Sequence, residues 1–177
     1  MTTSFALALH TTTTKLELAI AEINQNSDRN SQIYTIHKKQ SWELGRELSV
    51  QLHGCLNMFV GDIPWSDFAF LAIATGIGSF TGTRIGIVVA RTLGEQLNIP
   101  VYGINCEEII ARSQQFQPNL SLGESLLAIA YDQWQDGIYP SWQNALPLYE
   151  AYFPRWLRPN KKRESCYNAT LFFCSMQ

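Results

Sequence analysis

The sequence predicts an α/β fold in which a mixed β-sheet carries α-helices on its faces. Three observations predict it. Segments with alternating apolar residues open the chain, segments with apolar residues at helical spacing follow, and apolar runs that suit buried strands stand between the helices. The chain has 177 residues, of which 46% are apolar, so it can form the core of one ordinary domain or of two small lobes.

The amino-terminal segment predicts an antiparallel meander of three strands. Ser4–His10 forms the first strand and Lys15–Ile23 the second, with a turn over Thr11–Thr14 between them. In the second strand Leu and Ile alternate with Lys, Glu and Ala, which is the period of a sheet with one covered face. After a polar loop over Asn24–Ser31, Gln32–Lys38 forms the third strand.

Helical spacing begins in the next segment. Ser41–Val60 is expected to form a helix with Ser41 as its N-cap, because its apolar residues recur every three or four positions. Those residues are Leu44, Leu48, Leu52, Cys55, Leu56 and Phe59. After the turn "GDIPWSD", Phe68–Thr75 is apolar throughout, as expected of a central strand covered on both faces.

Helices and strands then alternate along the chain. A helix is expected to run to about Asn98, followed by a strand over Pro100–Asn105 and a short helix over Cys106–Gln115. Ser125–Asp132 is expected to be another apolar strand, and Asp136-Gly137 favours a hairpin turn after it.

Composition excludes several classes of protein. A formal charge of -2 does not suit a basic nucleic-acid sleeve. The longest apolar run, Phe68–Ala74, is far shorter than the roughly 20 residues that span a bilayer, and the amino terminus lacks the charged start and apolar middle of a secretory signal. The 4 cysteines form no C-x-x-C pair, so we expect reduced thiols in the cytoplasm and no metal site.

A glycine-rich loop, "GIGSFTG", joins a predicted strand to a predicted helix at Gly76–Gly82. That context suits a phosphate site, but the loop lacks the lysine of a Walker motif, has one residue too many for G-x-G-x-x-G, and lacks the glycines of G-x-S-x-G. Its hydroxyl residues are expected to be a turn residue, Ser79, and a helix N-cap, Thr81. The candidate loop residues are Gly76, Gly78, Ser79, Thr81 and Gly82.

The helix after the loop carries small residues every fourth position. They are Gly82, Gly86, Ala90 and Gly94. Each interior glycine lowers helix stability by about 1 kcal/mol relative to alanine, so the helix needs a compensating contact. Residues four apart form a ridge, and a ridge without side chains lets another backbone come close. That backbone belongs either to a partner or to the chain's own sheet, since buried helix faces also use small residues.

Catalytic spacing is absent. His10, His37 and His53 have no partner at a characteristic separation, and Asp132 and Asp136 are expected on either side of a hairpin in solvent rather than in a cleft. Arg84 is expected to bridge to a neighbouring loop or to a partner's carboxylate. No residue is therefore assigned a catalytic or metal-binding role.

The segment "GIGSFTGTRIGIVVARTLGEQLNIPVYGINCEEIIA", Gly76–Ala111, closely resembles the signature of the TsaB family, also called YeaZ, which reads roughly GPGSFTGxRIG. The opening "LALHTTT" is similar to the family's "LAIDTST". The resemblance implies an actin-like (ribonuclease H-like) sheet with two related lobes. The family's loop proline is Ile77 here and its early aspartate is His10, and that second change argues against an ATP or metal role.

The resemblance also implies a function. TsaB proteins are non-catalytic, bind no cofactor of their own, and pair with TsaD, with TsaE and with themselves. The cytoplasmic complex forms N6-threonylcarbamoyladenosine at position 37 of tRNAs that read codons beginning with A, so this chain would meet tRNA only through the complex. Pairing in the family uses two helices, here Ser41–Val60 and Gly82–Leu97, which favours a partner-facing ridge. The implied interface residues are Leu44, Gly45, Leu48, Ser49, Leu52, Gly82, Arg84, Ile85, Gly86, Val89, Ala90, Leu93 and Gly94.

The carboxy-terminal part departs from the family. "LLAIAYDQWQDGIY" is similar to the opening of the family's second lobe and "WQNALPLY" to a motif near its end, but almost nothing lies between them. We therefore expect a first lobe over 1–118, a remnant of the second lobe over 119–150, and an irregular tail over 151–177. Two alternatives stay open: an independent actin-fold ATPase, kinase or peptidase, and a truncated non-functional homologue.

Overall fold

A five-stranded sheet with the order β3-β2-β1-β4-β5 organises the chain. The computed structural model describes residues 3–24, 34–115 and 120–148. β1 is antiparallel to β2, β2 is antiparallel to β3, and β4 lies parallel to both β1 and β5. The strands are β1 Thr3–His10, β2 Lys15–Asn24, β3 Tyr34–Glu43, β4 Phe68–Thr75 and β5 Val101–Asn105.

Four α-helices in the described residues cover the sheet. They are α1 Leu48–Val60, α2 Phe80–Leu97, α3 Cys106–Gln114 and α4 Leu122–Gln135, with single 3-10 turns at Gly45–Glu47, Trp65–Asp67 and Trp142–Asn144. The expected meander, central strand, second long helix, fifth strand and short third helix are thereby confirmed. Most of the expected polar loop over 24–31, the start of the expected third strand at Gln32, and the tail over 151–177 lie outside the described residues. No described helix is both long and apolar enough to span a bilayer.

Both faces of the sheet are covered, so the expected single covered face of the second strand is wrong. Leu16, Leu18 and Ile20 join the core beneath α1 and α2. On the other face, Ala19 and Ala21 are fully buried with residues of α3 and α4. Small side chains on that face let a helix pack closely against the strand. Because they alternate with larger apolar side chains, the sequence resembles that of a strand with only one buried face.

Helix α4 replaces the strand that was expected over Ser125–Asp132. A capping box fixes its start: Ser121 Oγ accepts from the Glu124 N–H, and Glu124 Oε2 accepts from the Ser121 N–H at 3.0 Å. Its apolar run is buried on the sheet, and Gly123 lies where a Cβ would be 3.5 Å from the Cβ of Ala19. A short apolar run suits a buried helix as well as a strand, and here the cap decides between them.

The expected hairpin at Asp136-Gly137 is also wrong, because the segment before it is a helix and not a strand. α4 continues to Gln135, and Asp136 is its C-cap. Gly137 follows with φ 78, a left-handed conformation common just after a helix.

Helix α1 begins later than its apolar spacing suggested. Ser41 is not an N-cap, because β3 continues to Glu43 and Ser41 pairs with Glu17 of β2. The N–H groups of Leu44 and Gly45 then both donate to the Thr14 carbonyl, at 3.2 and 2.9 Å. These two bonds tie the start of the α1 segment to the turn between β1 and β2.

Candidate protein-interaction groove

The start of α2 is set by Ser79. Its Oγ accepts from the Gly82 N–H at 3.1 Å, so Ser79 is the N-cap, and the expected N-cap role of Thr81 is wrong because Thr81 lies inside the first turn. The helix ends at Asn98, whose φ of 54 places it in the left-handed region.

The glycines of the loop are explained by a contact within the chain. A Cβ on Gly78 would lie 2.2 Å from the Thr12 carbonyl oxygen, and a Cβ on Gly82 would lie 2.2 Å from the Thr11 carbonyl oxygen. The Ser79 N–H donates to the Thr12 carbonyl at 2.6 Å. The absence of side chains therefore lets the loop lie directly on the β1–β2 turn.

The ridge of small residues on α2 faces the chain's own sheet. A Cβ on Gly86 would lie 2.1 Å from Thr11 Oγ1, and one on Gly94 would lie 2.3 Å from Val101 Cγ2. Ala90 is fully buried. The hypothesis of a partner-facing ridge is thus wrong in its geometry: these positions are small because α2 packs closely on the strands.

An apolar groove lies between α1 and α2 beside that ridge. Its volume is about 610 Å³, and Val88 on its wall is 62% exposed. We call it the α1–α2 groove. Its lining residues are His53, Leu56, Asn57, Trp65, Arg84, Ile85, Val88, Val89, Thr92 and Leu93.

The groove includes only part of the expected interface. Arg84, Ile85, Val89 and Leu93 line it. Of the others, Leu48 and Leu52 of α1 are buried in the core, as are the ridge positions Gly82, Gly86, Ala90 and Gly94. Leu44 is half-buried, whereas Gly45 and Ser49 are exposed but are not among the groove's lining residues.

Several lining residues were missed by sequence reasoning. Val88 and Thr92 continue from Arg84 at steps of four, and His53 and Asn57 do the same on α1. The stripe on α2 lies on the side of the helix roughly opposite Gly86 and Ala90, and His53 and Asn57 are likewise exposed on α1. The groove residues could therefore have been found as a second set of positions four residues apart on each helix. The interface was instead predicted from the small residues, which form a different set.

Arg84 stacks on an exposed aromatic ring beside the groove. Its guanidinium carbon lies 4.1 Å from the centroid of Phe80, which is 57% exposed. This is a cation–π contact within α2. Arginine and aromatic residues, phenylalanine included, are enriched at protein interfaces relative to the rest of the surface.

The buried polar groups lie at the carboxyl ends of the parallel strands. His10 Nε2 is 3.2 Å from Thr12 Oγ1, and the Cys106 thiol donates to the same oxygen at 3.3 Å. Burial lowers the pKa of His10, against an opposing effect of Glu17, and burial raises the pKa of the Cys106 thiol. Both groups are therefore neutral at pH 7, and a neutral thiol is a poor nucleophile.

The remaining titratable candidates are dispersed. Asp132 lies on α4, where it pairs with Arg112, and Asp136 caps the same helix, so they do not flank a hairpin. His37 makes an edge contact with Phe5, their ring centroids 5.6 Å apart. Within residues 3–24, 34–115 and 120–148, no group of three or more His, Cys, Asp or Glu side chains is placed to hold a metal ion.

The sheet order β3-β2-β1-β4-β5, with β2 antiparallel to both of its neighbours and helices on both faces, is that of the ribonuclease H-like, or actin-like, fold. YeaZ from Pseudomonas aeruginosa shares it with a TM-score of 0.65 and 18% identity, over 82% of this chain and 99% of that one. RuvC from Thermus thermophilus shares it with a TM-score of 0.55 and 9% identity, over 77% of this chain and 98% of that one. The expected fold class is confirmed.

The sequence narrows the class further. Residues 29–129, more than half of the chain, match the family model described as "TsaD: tRNA N6-adenosine threonylcarbamoyltransferase". The TsaB proteins of Bacillus subtilis and Buchnera aphidicola, whose names refer to tRNA threonylcarbamoyladenosine biosynthesis, are 38% and 40% identical over 50 residues. The chain belongs to this family, among its TsaB (YeaZ) members. The aligned stretch covers 28% of this chain and only 22% and 24% of those relatives.

Proposed function

We propose that the chain is a non-catalytic subunit of the complex that forms N6-threonylcarbamoyladenosine at position 37 of tRNAs reading codons that begin with A. It acts by pairing with a TsaD homologue through α1 and α2. Family membership and the names of the curated relatives support the pathway. The observation that carries the pairing is the open apolar α1–α2 groove.

The groove supplies the driving force for pairing. Val88 is largely exposed in the isolated chain, and burying such a side chain contributes about 1.5–3 kcal/mol. Ile85 and Leu93 are only half-buried and add to the same surface. A partner helix laid into the groove would bury these side chains together, in the manner of helix-in-groove recognition.

The lack of catalysis by this chain alone is supported by the character of its buried groups. His10 occupies the strand end where the family's resemblance expects an aspartate, and burial keeps it uncharged. Cys106 is held as a thiol beside Thr12. Neither group suits a hard cation or an activated nucleophile.

Self-pairing, pairing with a TsaE homologue and a cytoplasmic location complete the proposal. The same groove would serve a second copy of the chain, so self-pairing and pairing with the TsaD homologue would compete. tRNA would be met only through the assembled complex.

The test is a pair of substitutions on α2. Val88→Asp places a charge in the groove and is expected to weaken binding to the TsaD homologue at least tenfold, about 1.4 kcal/mol. Gln96→Asp, an exposed change on the same helix that lies outside the groove, should leave binding unchanged. Titration calorimetry gives the affinities and thermal melts verify folding. Wild-type affinity in Val88→Asp would contradict the proposal.

A further inference from the structure

The outermost side of α2 carries a charge towards each end of the helix. Arg84, Val88, Arg91 and Glu95 follow one another at steps of four, three and four residues, so they lie on one side of α2, opposite the buried Gly86. Arg84, Val88 and Glu95 are exposed, whereas Arg91 is half-buried. We call these four residues the outer stripe.

The dipole of α2 does not explain the charges of the outer stripe. The first turn of α2 has no acidic residue and its last turn has no basic one. Arg84 stands just after the positive amino-terminal turn, and Glu95 lies in the negative carboxy-terminal turn. These placements are the reverse of those that the helix dipole favours, most directly at Glu95. Each charge would be favourable beside the opposite end of a second, antiparallel helix.

An open hollow lies beside the outer stripe. Its volume is about 390 Å³, and all four residues of the stripe line it together with Trp142. We call it the α2–Trp142 hollow. The guanidinium carbon of Arg91 lies 5.5 Å from the centroid of the Trp142 ring, while Val88 is 62% exposed. The stripe therefore presents an exposed apolar side chain with a positive charge towards one end and a negative charge towards the other.

The spacing of these charges is self-complementary. When two copies of α2 pack antiparallel about a two-fold axis through the middle of the outer stripe, Arg84 of each copy lies opposite Glu95 of the other. In the same register Val88 lies opposite Arg91, whose methylene stem can cover it. The two charges are 11 residues apart, roughly 16 Å along the helix, a contact length that suits packing at a crossing angle of about 20°.

We propose that a second copy of this chain docks on the outer stripe in this antiparallel register, and that the Arg84–Glu95 pairs between the copies select it. The inference deepens the self-pairing in the proposed function and rests on it. A slip of one turn towards the amino terminus would place Arg84 opposite Arg91, where like charges repel. Arg84 and Val88 also line the α1–α2 groove, so a docked second copy would cover part of the surface proposed for the TsaD homologue.

The register is tested by exchanging the two charges in the full-length chain and measuring self-association by sedimentation equilibrium. Arg84→Glu and Glu95→Arg each place like charges opposite one another twice in the dimer, and each should raise its dissociation constant about tenfold or more at low salt. The double variant Arg84→Glu with Glu95→Arg restores both pairs and should return to within about threefold of wild type. At 1 M salt, where the screening length is about 3 Å, the single variants should differ little from wild type.

Glu107→Arg is the matched control, because it makes the same change of charge at an exposed position of α3, over the opposite face of the sheet. It should leave self-association unchanged, and thermal melts verify that every variant is folded. The proposal would be overturned by single variants that dimerise like wild type, or by a double variant that is not rescued. Rescue of Glu95→Arg by Arg91→Glu instead would also overturn it.

Failure of the proposed function gives a different result. A wild-type chain that stays monomeric at its highest soluble concentration would overturn the proposed self-pairing together with this register. Dimerisation of wild type without rescue by the charge exchange would overturn the register alone. Titration of the TsaD homologue with wild type tests the remaining part of the proposed function separately.

Discussion

Thr11 lies directly against the helix backbone at Gly86: a Cβ at residue 86 would be 2.1 Å from Thr11 Oγ1 and 3.0 Å from Ile73 Cδ1. Since this contact belongs to the core, a larger residue at 86 disrupts folding before it reaches any partner. The position therefore reports on the packing of α2 against β1 and β4.

We expect Gly86→Ala to lower the free energy of unfolding by about 1–3 kcal/mol, the range for an overpacked core. Gly54→Ala is the matched control, because a Cβ there meets nothing within 4 Å and helix propensity should raise stability by about 0.5–1 kcal/mol. Urea unfolding midpoints measure both. Equal stability of Gly86→Ala and wild type would show that the helix is not held this closely.

The N-cap of α2 is expected to contribute measurable stability. Ser79→Ala removes the acceptor of the Gly82 N–H and should reduce the free energy of unfolding by about 1 kcal/mol. Thr81→Ala, an exposed change in the first turn, should alter it by less than about 0.5 kcal/mol. A larger loss of unfolding free energy in Thr81→Ala than in Ser79→Ala, measured by chemical denaturation, would show that Thr81 is the N-cap.

His10 is expected to make stability depend on pH. Because burial lowers its pKa in the folded chain, the unfolded chain binds the proton more readily, and stability falls as pH drops below the ordinary histidine value of about 6.5. His10→Gln should flatten the fall in urea midpoint between pH 7.5 and 5.5, whereas His37→Gln, at an exposed position, should retain it. An unchanged slope in His10→Gln would assign the effect elsewhere.

Glu124 is expected to stabilise α4. Its burial alone would raise the pKa, but hydrogen bonds from Lys39 and Ser121 outweigh burial and hold the pKa of Glu124 below its ordinary value. The Lys39 Nζ to Glu124 Oε1 distance is 2.8 Å, with the lysine largely in solvent, so we assign most of the effect to the capping box.

Glu124→Ala should therefore cost about 1–2 kcal/mol of unfolding free energy near neutral pH, and the difference from wild type should shrink as acid protonates the carboxylate. Glu108→Ala, at an exposed position of α3, is the control and should stay close to wild type. Circular dichroism melts at pH 7 and pH 4 measure both. A loss that does not diminish in acid would assign the effect to packing alone.

Much of the fold was predictable because the hydrophobic periodicity of these segments matches the place that each one takes in the fold. β4 is apolar on both faces and lies between β1 and β5, and α2 follows a strand and a glycine loop in the order that the sequence displays. Local signals and tertiary contacts favour the same structure in these segments, so reading the sequence succeeds.

The remaining features depended on contacts between distant residues. α4 was mistaken for a strand because its apolar run is covered almost all round by the sheet and α3, so no polar face revealed its period. The direction of the small-residue ridge was set by Thr11 and Val101, which are distant in sequence. The α1–α2 groove arises only when both helices are in place, and no single segment encodes it.

The turn between β1 and β2 has a consequence for recognition. The Thr14 carbonyl receives the start of the α1 segment through Leu44 and Gly45, and the Thr12 carbonyl receives the start of α2 through Ser79. One short threonine-rich hairpin thus works as a spacer that sets how far apart the two walls of the groove stand. Threonine restricts the backbone of such a turn through its branched side chain. Under the proposed pairing, glycine there would widen the range of helix separations and weaken discrimination between partners without altering any residue that lines the groove.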